Sequence, residues 1–251
     1  MKIVVIGGAG LIGAQTVDKL RKQGHDVLAG SSRSGVNAVT GEGLDKALEG
    51  AEVVVDVTNA PSWEDNAVME FFEKSTHNLL AAEEKAGVKH HVALSVVGTD
   101  RLQESGYFRA KMAQEKLIKE GKVPYTIVQA TQFYEFLGQI AQYGTVGEQV
   151  HLSAAYMQPM ASSDVADFLA EAALTAPING TLEIGGPEKV RLSEVVGRYM
   201  KATNDNREVV SSMETKYYGM KIDDQSLVPG ANAKLGQTRL EEWMSKSPVK
   251  V

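Results

Sequence analysis

The chain has 251 residues, 43% apolar and 23% charged, with a formal net charge of −6. These values fit one large globular domain, or one with a small appendage, and exclude collagen-like and disordered classes. An acidic chain with no concentrated basic face argues against a nucleic-acid partner. No apolar run reaches the ~18 residues of a membrane span, and no signal peptide is expected, because glycines follow at once on the short apolar start Ile3–Ile6. The absence of cysteine excludes disulfides and thiol catalysis and fits a reducing cytoplasm.

Ile3-Val4-Val5-Ile6 is a short β-branched run, expected as a strand buried on both faces. Gly7-Gly8-Ala9-Gly10-Leu11-Ile12-Gly13 follows, then a helical pattern through Ala14, Val17 and Leu20, with Gly24 as its stop. The alternation continues with strands at 25–29, 36–39 and 52–58, the last containing Val53-Val54-Val55. A short helix at 43–48 and a long one at 65–85, closed by Gly87, lie beside them. Strands at 91–97 and 125–129 flank a helix at 109–119. This order predicts an α/β fold: a doubly wound parallel sheet of Rossmann type. Beyond residue 135 the pattern loosens into a helix at 164–174, a strand at 181–184 and a helix at 193–200 capped by Ser193. Residues 1–251 are read as a single domain, with 135–251 forming a small C-terminal region that covers the substrate side.

A glycine-rich turn between a strand and a helix suits a dinucleotide. Gly7, Gly10 and Gly13 allow the sharp turn and the close approach of a pyrophosphate to the backbone. The free amides at Leu11 and Ile12 would hold the phosphates. About 20 residues beyond Gly13, where NAD-binding chains place a carboxylate for the ribose, stands Gly30-Ser31-Ser32-Arg33-Ser34. Ser32 and Arg33 there suit a 2′-phosphate, so the expected cofactor is NADP(H). Thr58, Asn59 and Ala60 end a strand and are expected to border the adenosine side. Thr131, with Gln132 and Phe133, is placed near the nicotinamide, and Tyr134 and Phe136 near the substrate.

Tyr107-Phe108-Arg109-Ala110-Lys111 sets a tyrosine and a lysine one helical turn apart. A lysine ammonium there should lower the phenol's pKa and suit it to proton transfer. The same ammonium could bond the nicotinamide ribose. Ser95, at the end of the neighbouring strand, is the candidate for holding a substrate oxygen. His90 and His91 are adjacent in a strand and point to opposite faces, so they form no metal set.

These stretches together resemble the short-chain dehydrogenase/reductase superfamily, in its atypical NmrA-like and isoflavone-reductase-like branch. The glycine turn looks like that superfamily's cofactor loop, and Val92-Ala93-Leu94-Ser95-Val96-Val97-Gly98-Thr99-Asp100 resembles its fifth strand and active-site loop. Lys111, ahead of Val123-Pro124-Tyr125-Thr126-Ile127-Val128, lies where isoflavone-reductase-like enzymes carry their active-site lysine. The resemblance implies a Rossmann-type domain, NADP(H), and reductase chemistry on a small-molecule carbonyl or quinone, with a homodimer left open. The other readings are a redox sensor that holds NADP(H) without turnover and a sugar-nucleotide epimerase.

Overall fold

The computed structural model describes residues 1–246, which divide into two compact units. The first comprises Met1–Gln129 with Val165–Leu182, and the second Ala130–Asp164 with the described residues from Glu183 onward.

The first unit is built on β1 (Lys2–Ile6), α1 (Leu11–Lys22), β2 (Asp26–Gly30), α2 (Leu44–Leu48), β3 (Val53–Asp56), α3 (Asp65–Ala86), β4 (His90–Val96), α4 (Gly106–Glu120) and β5 (Tyr125–Ala130). β1 pairs in parallel with β2 and β3, and β3 with β4. Ile3, Val4, Val5 and Ile6 are buried, as expected of a central strand with helices on both faces. Gly24 and Gly87 take positive φ values of 83° and 73° and end α1 and α3.

The second unit opens with α5 (Leu137–Tyr143), β6 (Thr145–Val146), β7 (Gln149–Ser153) and β8 (Tyr156–Met157). The chain then crosses to the first unit through α6 (Ser162–Leu174) and returns along β9 (Gly180–Gly185). β10 (Val190–Arg191), α7 (Leu192–Ala202), β11 (Glu208–Ser212), β12 (Lys234–Leu235) and α8 (Leu240–Lys246) complete it. The central sheet has seven strands in the order β12-β9-β5-β4-β3-β1-β2, the Rossmann-type α/β arrangement that the alternation predicts. Two small sheets, β11-β7-β6 and β10-β8, belong to the second unit.

Two expectations need correction. Residues 36–39 are not a strand: they run irregularly into a turn at 38–40. The Asn37 side chain accepts hydrogen bonds from the amides of Val39 and Thr40, while Asn78 donates to the carbonyls of Ala38 and Val39. Val36 and Ala38 still enter the core beside Val4, Ile6 and Leu44, which explains why the segment is apolar without being a strand. Ser193 lies inside α7, whose N-cap is Arg191. Among the described residues, no helix is long and apolar enough to cross a membrane.

Candidate functional site

At the C-terminal end of β1 the chain turns through Gly7, whose φ is +84° and whose added Cβ would stand 2.8 Å from the Val57 carbonyl oxygen. A Cβ on Gly13 would collide with the Gly7 carbonyl, so this helix–strand approach requires glycine at that position. Gly10, extended at φ −81°, is the N-cap of α1 and offers no side chain to it. The first amides of α1, on Leu11, Ile12 and Gly13, therefore keep their donor capacity at the positive end of the helix dipole, with no acidic residue in the first turn. Leu11 is 46% exposed, which places this helix end in solvent.

The Ser32–Ser34 turn follows β2, with Ser34 Oγ accepting from the Ser31 amide at 2.9 Å. Ser32 and Arg33 are both exposed, and Arg33 has no ion-pair or hydrogen-bond partner among the described residues. After β3, the Thr58 amide donates to Asp56 Oδ1 at 2.9 Å. Thr58 Oγ1 is buried and unpartnered among the described residues, while Asn59 is exposed and Ala60 buried. A glycine cradle, an uncapped helix end, a free arginine and an orphaned hydroxyl fit a phosphate-bearing dinucleotide.

Lys111 is 2% exposed. Its Nζ donates to the Leu94 carbonyl at 2.8 Å and to Gln114 Oε1, and it lies 4.5 Å from the centre of the Phe72 ring. Gln114 Nε2 donates in turn to Asp56 Oδ2 at 2.9 Å, so one amide links the lysine to a buried carboxylate. Burial pushes Lys111 down to about 8, against the pull of Asp56 and Glu115.

Tyr107 packs edge-on against Phe72 at 6.2 Å, and tilted against Trp63 at 5.3 Å. Burial pushes its phenol up to about 12. The lowering expected from a lysine one turn away is thus not found: burial alone sets the direction of the shift. Ser95 also differs from expectation. It is buried and donates to Glu115 Oε1 at 2.6 Å. The same oxygen accepts from Gln129 Nε2 at 2.7 Å, and Glu115 Oε2 takes Lys119 Nζ at 3.1 Å. The Ser95 proton is therefore engaged in this network and is not offered to a substrate oxygen.

Thr131 falls in the second unit, where its hydroxyl donates to the Gln158 carbonyl at 2.6 Å and its amide to the Ile184 carbonyl at 3.1 Å. Tyr134 is core, not pocket wall, and Phe136 stacks on Phe133 at 5.7 Å. The two strand histidines are accounted for separately: His90 Nε2 meets Thr126 Oγ1 at 2.8 Å, and His91 Nδ1 meets Glu83 Oε1 at 2.8 Å. Burial opposes the His91 imidazolium, but Glu83 and Asp56 outweigh it and hold His91 above the ordinary histidine range. Sequence reasoning missed Asp56, Gln114, Glu115 and Trp63. Asp56, as a carboxylate ending a buried valine run, was the one visible signal.

A family model described as NAD(P)H-binding matches residues 7–176. The photosystem II assembly factor Ycf39 of Synechocystis sp. is 27% identical over 225 residues, covering 77% of this chain and 67% of that protein. The divinyl chlorophyllide a 8-vinyl-reductase of Arabidopsis thaliana is 26% identical over 227 residues, covering 75% of this chain and 54% of that protein. The chain thus spans between about half and two thirds of these relatives. Among solved structures, a dTDP-4-dehydrorhamnose reductase ortholog from Clostridium acetobutylicum is 15% identical, covers 98% of both chains and has a TM-score of 0.75. A UDP-glucose 4-epimerase from Thermus thermophilus, complexed with NAD, is 19% identical, covers 91% of this chain and 90% of its own, and has a TM-score of 0.68. These structures share the fold.

Proposed function

Because the chain belongs to the NAD(P)H-binding family, we propose that it is an NADPH-dependent reductase that delivers hydride to a carbonyl or quinone. The carrying observation is the pairing of Tyr107 and Lys111 on α4, both packed on Phe72, in the unit that holds the glycine turn. The bound cofactor supplies a hydride, two electrons with one hydrogen, to the carbonyl carbon. Tyr107, protonated throughout the neutral range, gives its hydroxyl proton to the oxygen and regains one from solvent. The Lys111 ammonium, held by Leu94 and Gln114, bonds the nicotinamide ribose and so orients the cofactor. Arg33, without a partner among the described residues, takes the 2′-phosphate and selects NADPH over NADH.

A second reading is a protein that holds NADP(H) and acts on a partner without turnover. The raised Tyr107 pKa and the similarity to an assembly factor favour it. Both are tested by following NADPH oxidation against a panel of ketones, aldehydes and quinones. The reductase reading expects turnover on at least one of them, with a loss of about 10²-fold or more in Tyr107→Phe. NADPH binding with no turnover on the panel would favour the sensor instead.

A further inference from the structure

Trp63 is 69% exposed, in the turn between β3 and α3. A single exposed apolar side chain is ordinary on a protein surface. This one packs on a second ring, and the chain on either side of it is tied down by hydrogen bonds. Its ring rests on Tyr107 with centroids 5.3 Å apart and planes tilted by 53°. Two residues on, Asp65 Oδ2 accepts from Arg109 Nη2 at 2.5 Å, and Arg109 lies two residues beyond Tyr107. Arg109 Nη1 also donates to the carbonyls of Gln103 at 2.8 Å and Glu104 at 3.0 Å, which ties the start of α4 to the start of α3. Gly106 packs so closely on Asp65 that an added Cβ would collide with its carboxylate. Immediately before Trp63 in the chain, the Ser62 hydroxyl accepts from the Glu64 amide at 3.2 Å.

The result is a ring series: the open indole of Trp63, then Tyr107, then Phe72, then the Lys111 ammonium over Phe72. Fixed aromatic faces bind flat conjugated rings, because stacking adds to area burial and little freedom is lost on binding. Next to Trp63 in the chain, Glu64 is acidic and Asp65 is paired with Arg109, so the local charge is net negative and disfavours an anionic ring.

We propose that Trp63 and Tyr107 form a stacking wall for an uncharged planar ring, making Trp63 a specificity-determining residue for ring quinones over small aliphatic carbonyls. This rests on the reductase reading above and assigns its substrate class.

Kinetics with menadione and with 2,3-butanedione, each driven by NADPH, test it in wild type, Trp63→Ala and Trp63→Phe. The wall requires Trp63→Ala to raise KM for menadione about tenfold, with kcat within about twofold and KM for butanedione unchanged. Trp63→Phe should recover most of the menadione KM. Equal KM values for menadione in wild type and Trp63→Ala would overturn the proposal. A readout that needs no turnover separates it from the reductase reading: saturable quenching of tryptophan emission by menadione, lost in Trp63→Phe. Saturable quenching at Trp63 without turnover on any substrate upholds the wall and removes the reductase reading. Turnover with no saturable quenching and no KM change removes the wall and leaves the reductase.

Discussion

The turn between β1 and α1 and the cluster around Lys111 lie in one unit, yet they manage their polar groups in opposite ways. The turn leaves donors open: α1 has no capping side chain, Leu11 is half in water, and Arg33 stands without a partner among the described residues. Around Lys111 the donors are largely engaged within the protein, through Leu94, Gln114, Asp56, Glu115 and Gln129. An exposed set of amides and a guanidinium can recruit an anion at little desolvation cost. A buried ammonium instead has its pKa set by its surroundings, and so acts as a tuned charge and not as a recruiter. One region suits binding, the other chemistry.

The sharpest way to break this contrast is Gly13→Ala. The new methyl collides with the Gly7 carbonyl, so the turn must open. A stability loss of about 1–3 kcal/mol is expected in urea unfolding, together with the largest loss of NADPH affinity of any single change in the turn. An unaltered dissociation constant would mean that the cradle is not where the dinucleotide binds.

Arg33→Ala comes next. Charge-assisted bonds of about 1.5–3 kcal/mol correspond to roughly 10- to 100-fold weaker NADPH binding, with NADH unchanged, by titration calorimetry. Equal losses for both dinucleotides would remove the 2′-phosphate assignment. Neither substitution should move the ionisation of Lys111, because both lie in the open region.

The same contrast governs what could be read from the sequence. The dinucleotide turn was legible because its chemistry is local: glycine spacing, a preceding β-branched run and a following helix fall within a few residues. The Lys111 surroundings were not, because Asp56 and Gln114 meet across 58 residues and Ser95 and Glu115 across 20. Tyr107 and Lys111 were found by helical spacing, but the direction of the phenol's shift depends on burial against Phe72 and Trp63, which spacing does not report. The 36–39 segment failed for a related reason. Its apolar residues are buried by a turn fastened through Asn37 and Asn78, the latter from α3, a distant element of the chain.

The most direct test of the account is the pH dependence of kcat/KM for NADPH-driven reduction. Lys111, lowered to about 8, is an ammonium below that pH and loses its proton as pH rises through it, whereas Tyr107, raised to about 12, stays protonated across the assay range. The account predicts a plateau at neutral pH and a single basic limb near pH 8, absent from the residual rate of Lys111→Met. A profile that stays flat well above pH 8, or keeps the same limb in Lys111→Met, would contradict it.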